Sequence, residues 1–354
     1  MKILLLAPYP LGEAPSQRFR FEQYLNILKN NNIHYHQYSF LTNQAWKILY
    51  QPGKILQKSF WILYGFLRRL VIVLLVYKYD FVFIHREASP IGPPIFEWMI
   101  AKIWRKKIIY DFDDAIWLAN TSEQNKIAAR IKWHHKVSSI CKWSYKISAG
   151  NRYLADFALQ YNKNVIINPT TIDTEGMHNP TKKVANKVFT IGWTGTHSTM
   201  PYMIPILPIL DELAEKYAFK LLIISNQKPE FDRSYVEFIK WNKSTEIQDL
   251  QKMDVGIMPL TDDKWAKGKC GFKALQYMSL KIPAIVSPVG VNTEIVDHGI
   301  NGFICNNPEE WKDALSRFFN DQNLIDQMAE TCRKKIIDYY SVLSNTDNFL
   351  NLFR

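Results

Sequence analysis

Residues Lys267 to Phe303 read KGKCGFKALQYMSLKIPAIVSPVGVNTEIVDHGINGF. A glycine-containing loop with Lys267, Lys269 and Lys273 feeds a helical stretch at 271–280. The apolar run at 283–287 is too short for a helix and is bounded by Pro283 and Pro288, as in a strand buried on both faces. A second glycine loop, through Gly290, feeds a helix or turn at 292–298, and a short strand at 302–305 closes the segment. Alternation of this kind predicts a parallel sheet with helices on its faces. The first N–H groups of a helix lack intrahelical partners and sit at the positive end of its dipole, so such a loop suits an anion. Three lysines beside it suit a diphosphate. An ordinary surface loop with solvated lysines is the competing reading.

The second half of the chain continues the pattern. Strands are expected at 187–193, 219–225 and 254–259, a loop at Thr194–Ser198, a helix over 200–216 and two terminal helices. In the first half, strands are expected at 2–7, 33–39, 80–85, 107–111, 145–149 and 164–167. Helices are expected at 16–30, starting near Ser16 as N-cap, at 94–104 and at 152–160. Residues 168–186 are polar and aperiodic and contain Pro169 and Pro180, which marks a domain boundary. The expectation is an α/β chain of two Rossmann-like domains, 1–168 and 187–335, joined by a linker at 169–186. Ligands of such folds bind outside the carboxyl ends of the strands, here in a cleft between the two sheets.

Composition agrees with two cores. The 354 residues exceed what one hydrophobic core usually organises, and 47% hydrophobic against 22% charged excludes a disordered chain. The net charge of +11 favours anionic partners, while no nucleic-acid motif is present. Aromatic residues reach 14%, which suits sugar rings and membrane interfaces as well as cores. Cys141, Cys270, Cys305 and Cys332 are scattered without Cys-x-x-Cys spacing, against a zinc site or disulfide scaffold and in keeping with the cytoplasm. The opening apolar run Ile3–Ala7 is too short for a secretory leader and reads as a strand.

Residues 59–77, SFWILYGFLRRLVIVLLVY, are apolar apart from Arg68 and Arg69. Two arginines at mid-bilayer would cost about 2.5–3.5 kcal/mol each, which disfavours a spanning helix. With Trp46, Lys47, Lys54, Lys58 and Trp61 nearby, the stretch fits a helix lying on an anionic membrane surface. A core helix over 59–67 that leads on into 70–77 fits it equally well.

The segment 267–303 resembles the donor-binding signature of the family 4 glycosyltransferases, retaining enzymes of the two-domain GT-B fold. The resemblance is carried by Gly271, by Tyr277-Met278-Ser279-Leu280-Lys281-Ile282-Pro283, by the strand Ala284–Ser287, and by Gly290, Glu294, Val296, Gly299, Asn301 and Gly302. In element order it extends over nearly the whole chain. It implies a nucleotide-sugar donor bound by the second domain, with Gly195, Thr196, Gly268, Cys270, Gly271, Phe272, Gln276 and Glu294 in contact. It also implies a terminal helix, 336–354, returning to the first domain. The family commonly places two glutamates, with seven residues between them, where this chain has Gly268 and Gln276. Gln276 can still bond ribose hydroxyls, and the N–H groups of Cys270, Gly271 and Phe272 can replace the first glutamate. The basic residue that usually follows the Thr194–Ser198 loop is missing, which leaves Thr196, His197 and Ser198 as donors; a capping role for His197 is the alternative.

On the acceptor side, Tyr110-Asp111-Phe112-Asp113-Asp114 ends a strand, and Phe112 stands where similar enzymes place a histidine beside an aspartate. Asp111, Asp113 and Asp114 are expected to bond acceptor hydroxyls, with helix capping as the alternative. Arg86, after His85, is a phosphate or carboxylate clamp. Gly12 and Arg18 approach an acceptor phosphate, although arginines such as Arg18 and Arg20 are by default surface residues. Lys269, Lys273, Asp113 and His197 carry the catalytic expectation. No metal or other cofactor is expected. The partners expected are a nucleotide-sugar, a lipid-linked or envelope glycan and the inner face of the cell membrane, with no nucleic acid. Three rivals stand beside this reading. A catalytically degenerate scaffold is suggested by the missing glutamates. A soluble GT-B epimerase or phosphorylase is opposed by the basic, aromatic stretch 46–77. A redox Rossmann enzyme lacks its Gly-x-Gly-x-x-Gly after the first strand.

Overall fold

The computed structural model describes residues 1–49, 51, 53–119, 131–180 and 186–354. The chain forms two compact units, Met1–Thr170 with Asn345–Arg354, and Thr171–Ser344.

In the first unit, β1 (Lys2–Ala7), β2 (His34–Ser39), β3 (Phe81–His85), β4 (Lys107–Phe112), β5 (Lys146–Ala149) and β6 (Val165–Ile167) form one sheet of order β2-β1-β3-β4-β5-β6. Every pairing is parallel, with Leu5 beside both Gln37 and Phe83. β1, β3 and β4 are buried along almost their whole length, which is why they read as unbroken apolar runs. The last residues of the chain close this unit. The Phe349 ring stacks on Tyr24 at 4.2 Å, and Lys146 Nζ donates to the Asn351 carbonyl at 2.6 Å.

In the second unit, β7 (Phe189–Gly195), β8 (Phe219–Ser225), β9 (Val236–Lys240), β10 (Val255–Met258), β11 (Ala284–Val286) and β12 (Gly302–Ile304) form a parallel sheet of order β12-β11-β10-β7-β8-β9. Its core gathers Ile191, Leu221, Ile223, Ile257, Ile285 and Phe303 under the helices Leu207–Ala214 and Pro308–Asn320. The strand order reverses between β1 and β3 in one sheet and between β7 and β10 in the other. Crevices at such points open outside the carboxyl ends of the strands.

Four expectations are corrected. The stretch 16–30 is broken into an α-turn Pro15–Arg18, a 3₁₀ turn Glu22–Tyr24 and a helix Leu25–Asn30, and Ala14 rather than Ser16 stands at the N-cap. Pro201 and Pro205 remove N–H donors, so His197–Ile206 winds as 3₁₀ and the α-helix begins only at Leu207. β9 and the helix Glu246–Leu250 were not expected; β9 is a half-buried edge strand with polar residues that mask its period. The first part of the expected linker is packed: Ile172 bridges Ser341, and buried Arg333 donates to the carbonyls of Thr174, His178 and Ser279. Residues 181–185 of that linker lie outside the described residues.

The stretch 59–77 lies in a helix, Ile55–Leu74, followed by a 3₁₀ turn, Val76–Lys78. Its two arginines part company. Arg69 is 1% exposed and donates to the carbonyls of Ala7, Tyr38 and Ala88 at 2.9–3.2 Å. Burial lowers its pKa to about 9, with Glu97 opposing, so it stays charged at neutral pH. Arg68 lies 5.6 Å over the Tyr64 ring. Among the described residues, no helix is long and apolar enough to cross a membrane.

Candidate active site

In the second unit, one aromatic side chain ties the two strands of the switch point to the helix Phe272–Ser279. Tyr277 accepts at Oη from the Thr194 N–H of β7 at 2.9 Å, and its ring packs against Gly256 of β10. A Cβ at Gly256 would stand 2.2 Å from Tyr277 Cδ2. We expect Gly256→Ala to lower stability by about 1–3 kcal/mol, as overpacking does. A urea midpoint unchanged at constant slope would contradict this.

That helix begins beside the end of β7. Gly271, its N-cap, has φ 66°, and a Cβ there would meet Ile295 Cδ1 at 2.1 Å, so glycine is required both by conformation and by close approach. Lys273, in the first helical turn, carries its Nζ 5.5 Å over the ring of Trp193. Lys269 Nζ lies 5.9 Å from the Tyr202 ring and 5.8 Å from Trp265. Thus the 267–273 loop and the segment after β7, distant in sequence, converge beside the switch point, and two cations sit at the positive end of a helix. Gly268 caps the short helix Lys264–Lys267, Cys270 is buried and Phe272 is half-buried. Lys267 pairs with Asp262 at 3.1 Å.

Gly195 ends β7, and Thr196 caps the 3₁₀ helix with its hydroxyl 2.8 Å from that of Ser198. His197 N–H donates to Asn226 Oδ1 at 2.8 Å, and Asn226 Nδ2 lies 3.1 Å from His197 Nδ1. The first bond fixes the amide orientation, so Nδ1 accepts and neutral His197 carries its proton on Nε2. Asn226, directly after β8, is a partner that sequence reasoning missed; only its place at a strand's carboxyl end could have marked it.

Gln276 is placed differently from expectation. It is 1% exposed, and its amide nitrogen is 3.3 Å from Glu246 Oε1 and 3.5 Å from His178 Nε2. Glu246 Oε1 also accepts from Trp241 Nε1 at 3.3 Å. The amide nitrogen therefore serves a buried polar chain. Glu294 is exposed on the helix Asn292–Ile295.

In the first unit, the expected acceptor residues separate into two clusters. Asp111 is fully buried. Its Oδ1 accepts from Arg20 at 2.5 Å and Ser148 Oγ at 2.6 Å, and its Oδ2 faces His85 Nδ1 at 2.7 Å. Burial alone would raise the carboxyl's pKa, but Arg20 and His85 outweigh it and hold it far below the usual range. Both Asp111 oxygens are thus engaged inside the unit, by Arg20 and Ser148 on one and His85 on the other. Arg20, which also donates to the Asn168 carbonyl, is a core residue. Position 112 is a buried phenylalanine, while His85 on the neighbouring strand stands beside Asp111 with its Nε2 3.4 Å from Ser16 Oγ. Arg18 is buried 5.0 Å from the Phe19 ring, and the Gly12 N–H is spent on Glu22 at 2.9 Å. Neither is placed as an acceptor-phosphate site.

The second cluster is Arg86 with Asp113 and Asp114, at 2.7 and 2.5 Å. Arg86 has φ 58°, a strained conformation for a non-glycine residue, held by its N–H to the Asp111 carbonyl and by Tyr110 Oη on its own carbonyl. Burial would lower the Arg86 pKa; the two carboxylates override it and raise it. Arg86 likewise overrides the burial that would raise Asp113 and holds that carboxyl below its ordinary value. Side-chain exposures of 12–23% leave this cluster open to a ligand. Among the described residues, no three His, Cys, Asp or Glu side chains are grouped to hold a metal ion.

Residues 186–321, from the strand β7 through the helix Pro308–Asn320, match the family model "Glycosyl transferases group 1". The second unit carries a glycosyltransferase domain. The whole two-unit fold recurs in solved structures. Sucrose-phosphate synthase from Thermosynechococcus elongatus shares 12% identity at a TM-score of 0.73, over 100% of this chain and 98% of that one. The Anabaena protein HepE in complex with UDP and glucose shares 13% at 0.65, over 99% and 98%. The lipopolysaccharide outer core galactosyltransferase WaaB shares 14% at 0.63, over 99% of both. The TM-scores establish the shared GT-B fold, and at identities this low the likeness shows the fold alone. No curated protein sequence matches the chain. The transferase domain contains both loops described above, so the lysines, Gly271 and His197 all fall inside the matched segment.

Proposed function

We propose that this transferase moves a hexose from a nucleoside-diphosphate-sugar to a lipid-linked or envelope glycan, with retention, at the inner face of the cell membrane. The observation that carries the reading is the convergence of Lys269, Lys273 and the start of the helix Phe272–Ser279 with the β7 loop, inside a glycosyltransferase domain. Transfer breaks the bond between the anomeric carbon and the diphosphate oxygen, and negative charge grows on the departing diphosphate. Cations and N–H groups already aimed at that charge stabilise the transition state more than the ground state. Lys269 and Lys273 supply the cations, and His197 Nε2–H and the Thr196 hydroxyl supply neutral donors. The acceptor hydroxyl oxygen attacks the same face, its proton passes to the departing phosphate oxygen, and no protein nucleophile is needed. Asp113 and Asp114, held by Arg86, accept from acceptor hydroxyls through carboxylate lone pairs left over from their ion pairs.

UDP is the first nucleotide to test, because the HepE structure holds UDP and glucose, and WaaB's action on lipopolysaccharide outer core supports an envelope acceptor. A transfer screen across UDP-, GDP-, ADP- and dTDP-sugars, with polyprenyl-diphosphate sugars as acceptors, tests the reading. Expected is acceptor-dependent release of one nucleoside diphosphate and an axial–equatorial relationship preserved from donor to product. A protein that binds no nucleoside diphosphate is a scaffold, and one that converts the donor without acceptor is an epimerase; either result removes the proposal.

A further inference from the structure

The helix Ile55–Leu74 turns its apolar residues the wrong way for a soluble fold. Leu56, Phe60, Leu63, Leu67, Val71 and Leu74 recur at steps of three and four, which places them on one helical face. That face is open: Leu56 is 87% exposed, Leu63 61% and Val71 58%. The inward face is thin, with only Gly65, Arg69 and Val73 buried. Scattered exposed leucines need no explanation, whereas a continuous apolar stripe marks an interaction surface.

Charge selects the partner. No Asp or Glu occurs from Leu41 to Tyr79, while Lys47, Lys54, Lys58, Arg68 and Lys78 do. Lys54 and Lys58 stand at the amino-terminal end of the helix and Lys78 just past its other end, so basic groups flank the stripe. Phe60 and Tyr64 are exposed on or beside it, with half-buried Trp61 between them packing back on the core cluster of Phe40, and such rings settle at a headgroup boundary. An open hollow of about 520 Å³ between Ile48, Leu56, Phe60 and Trp61 gives room for the end of an acyl chain. A basic, aromatic and apolar face without acid fits an anionic bilayer, and a second copy of the same basic face would repel it.

The inner face decides how the helix meets that bilayer. Arg69 is locked to the carbonyls of Ala7, Tyr38 and Ala88, three segments at or just past the carboxyl ends of β1, β2 and β3. The Phe40 ring, one residue past β2, packs against Gly65. The helix is therefore fixed to the domain at the carboxyl edge of the sheet, and about 15 Å of it precedes Gly65.

We propose that the first unit docks on an anionic membrane through the exposed face of Ile55–Leu74, with the helix lying in the interfacial plane and not crossing. Docking brings the carboxyl edge of the first sheet, with Ser16, His85 and Arg86, to the lipid surface. Only the consequence for a lipid-linked acceptor rests on the transferase reading, since docking itself needs no donor.

Flotation of the full chain with phosphatidylcholine vesicles, with and without phosphatidylglycerol, tests this. Expected is binding to the anionic vesicles, weakened at high salt. The triple variant Leu63→Asn/Leu67→Asn/Val71→Asn changes only exposed positions; circular dichroism and melting should be unaltered, with vesicle partitioning at least tenfold lower. Lys54→Gln/Lys58→Gln should reduce the preference for anionic over neutral vesicles. No binding, or binding unchanged in the triple variant, overturns the proposal. So does a concentration-dependent dimer in sedimentation velocity that the triple variant abolishes, because the stripe is then a self-interface. UDP binding measured on the same samples keeps the two readings apart: docking can fail with nucleotide binding intact, and the reverse.

Discussion

Lys273→Ala is expected to lower kcat for sugar transfer about 10²–10³-fold while the protein folds as before. The turnover figure follows from the electrostatic role: one preorganised donor or cation at developing charge contributes that much in enzymes where it has been removed. The folding figure follows from the geometry. Lys273 is half-buried with its Nζ 5.5 Å over Trp193, and such a contact contributes about 0.5–1 kcal/mol. A loss of about 2.7–4 kcal/mol in the barrier against at most about 1 kcal/mol in stability separates a catalytic lysine from a packing one. Lys269→Ala is expected to act in the same direction, and the double variant less than additively, because both act on one diphosphate. Steady-state kinetics with a thermal melt on each variant is the check. Turnover preserved in Lys273→Ala removes the lysine from the mechanism.

The second large effect is on folding. Asp111→Asn is expected to destabilise the chain by about 3–5 kcal/mol, because it leaves the buried Arg20 guanidinium without its counter-charge. That is a large share of the 5–15 kcal/mol typical of a domain. Replacing the pair together, Arg20→Met/Asp111→Leu, is expected to recover much of the loss, since the desolvation of both ions disappears with them. Full recovery is not expected, because Ser148 and Asn168 lose partners as well. The pH dependence carries the same signature. The folded pKa of Asp111 is depressed, so its contribution is complete above the unfolded carboxyl value near 4 and fades as pH falls toward the folded value. Urea unfolding of the wild type should therefore weaken below about pH 4, and Asp111→Asn should flatten that slope. An Asp111→Asn midpoint within error of the wild type would mean that the ion pair does not hold this unit together.

These residues also show where a sequence stops being informative. Strands buried on both faces, such as Ile3–Ala7 and Ile257 with its neighbours, announce themselves because burial forbids polar interruptions. The helix start at Gly271 with its flanking lysines could be read because those residues are adjacent in the chain. The Arg20–Asp111–His85 cluster could not. Its members are 91 and 26 residues apart, and each alone resembles a surface charge or a capping group. Gln276 was readable as a position but not as an environment, since its partners Glu246 and His178 come from elements with no periodic signal. The exposed helix lay in between. Its period was visible, but the sign of the face was not, because an apolar stripe packs inward or outward with equal ease until its neighbours are known.

Hydrogen–deuterium exchange of the full chain with and without UDP tests the diphosphate site most directly. Amides of 195–199 and 268–275 should gain protection together, and Lys269→Ala/Lys273→Ala should abolish the gain. Protection confined to other strand ends, with both of these segments unchanged under saturating nucleotide, would contradict the diphosphate assignment.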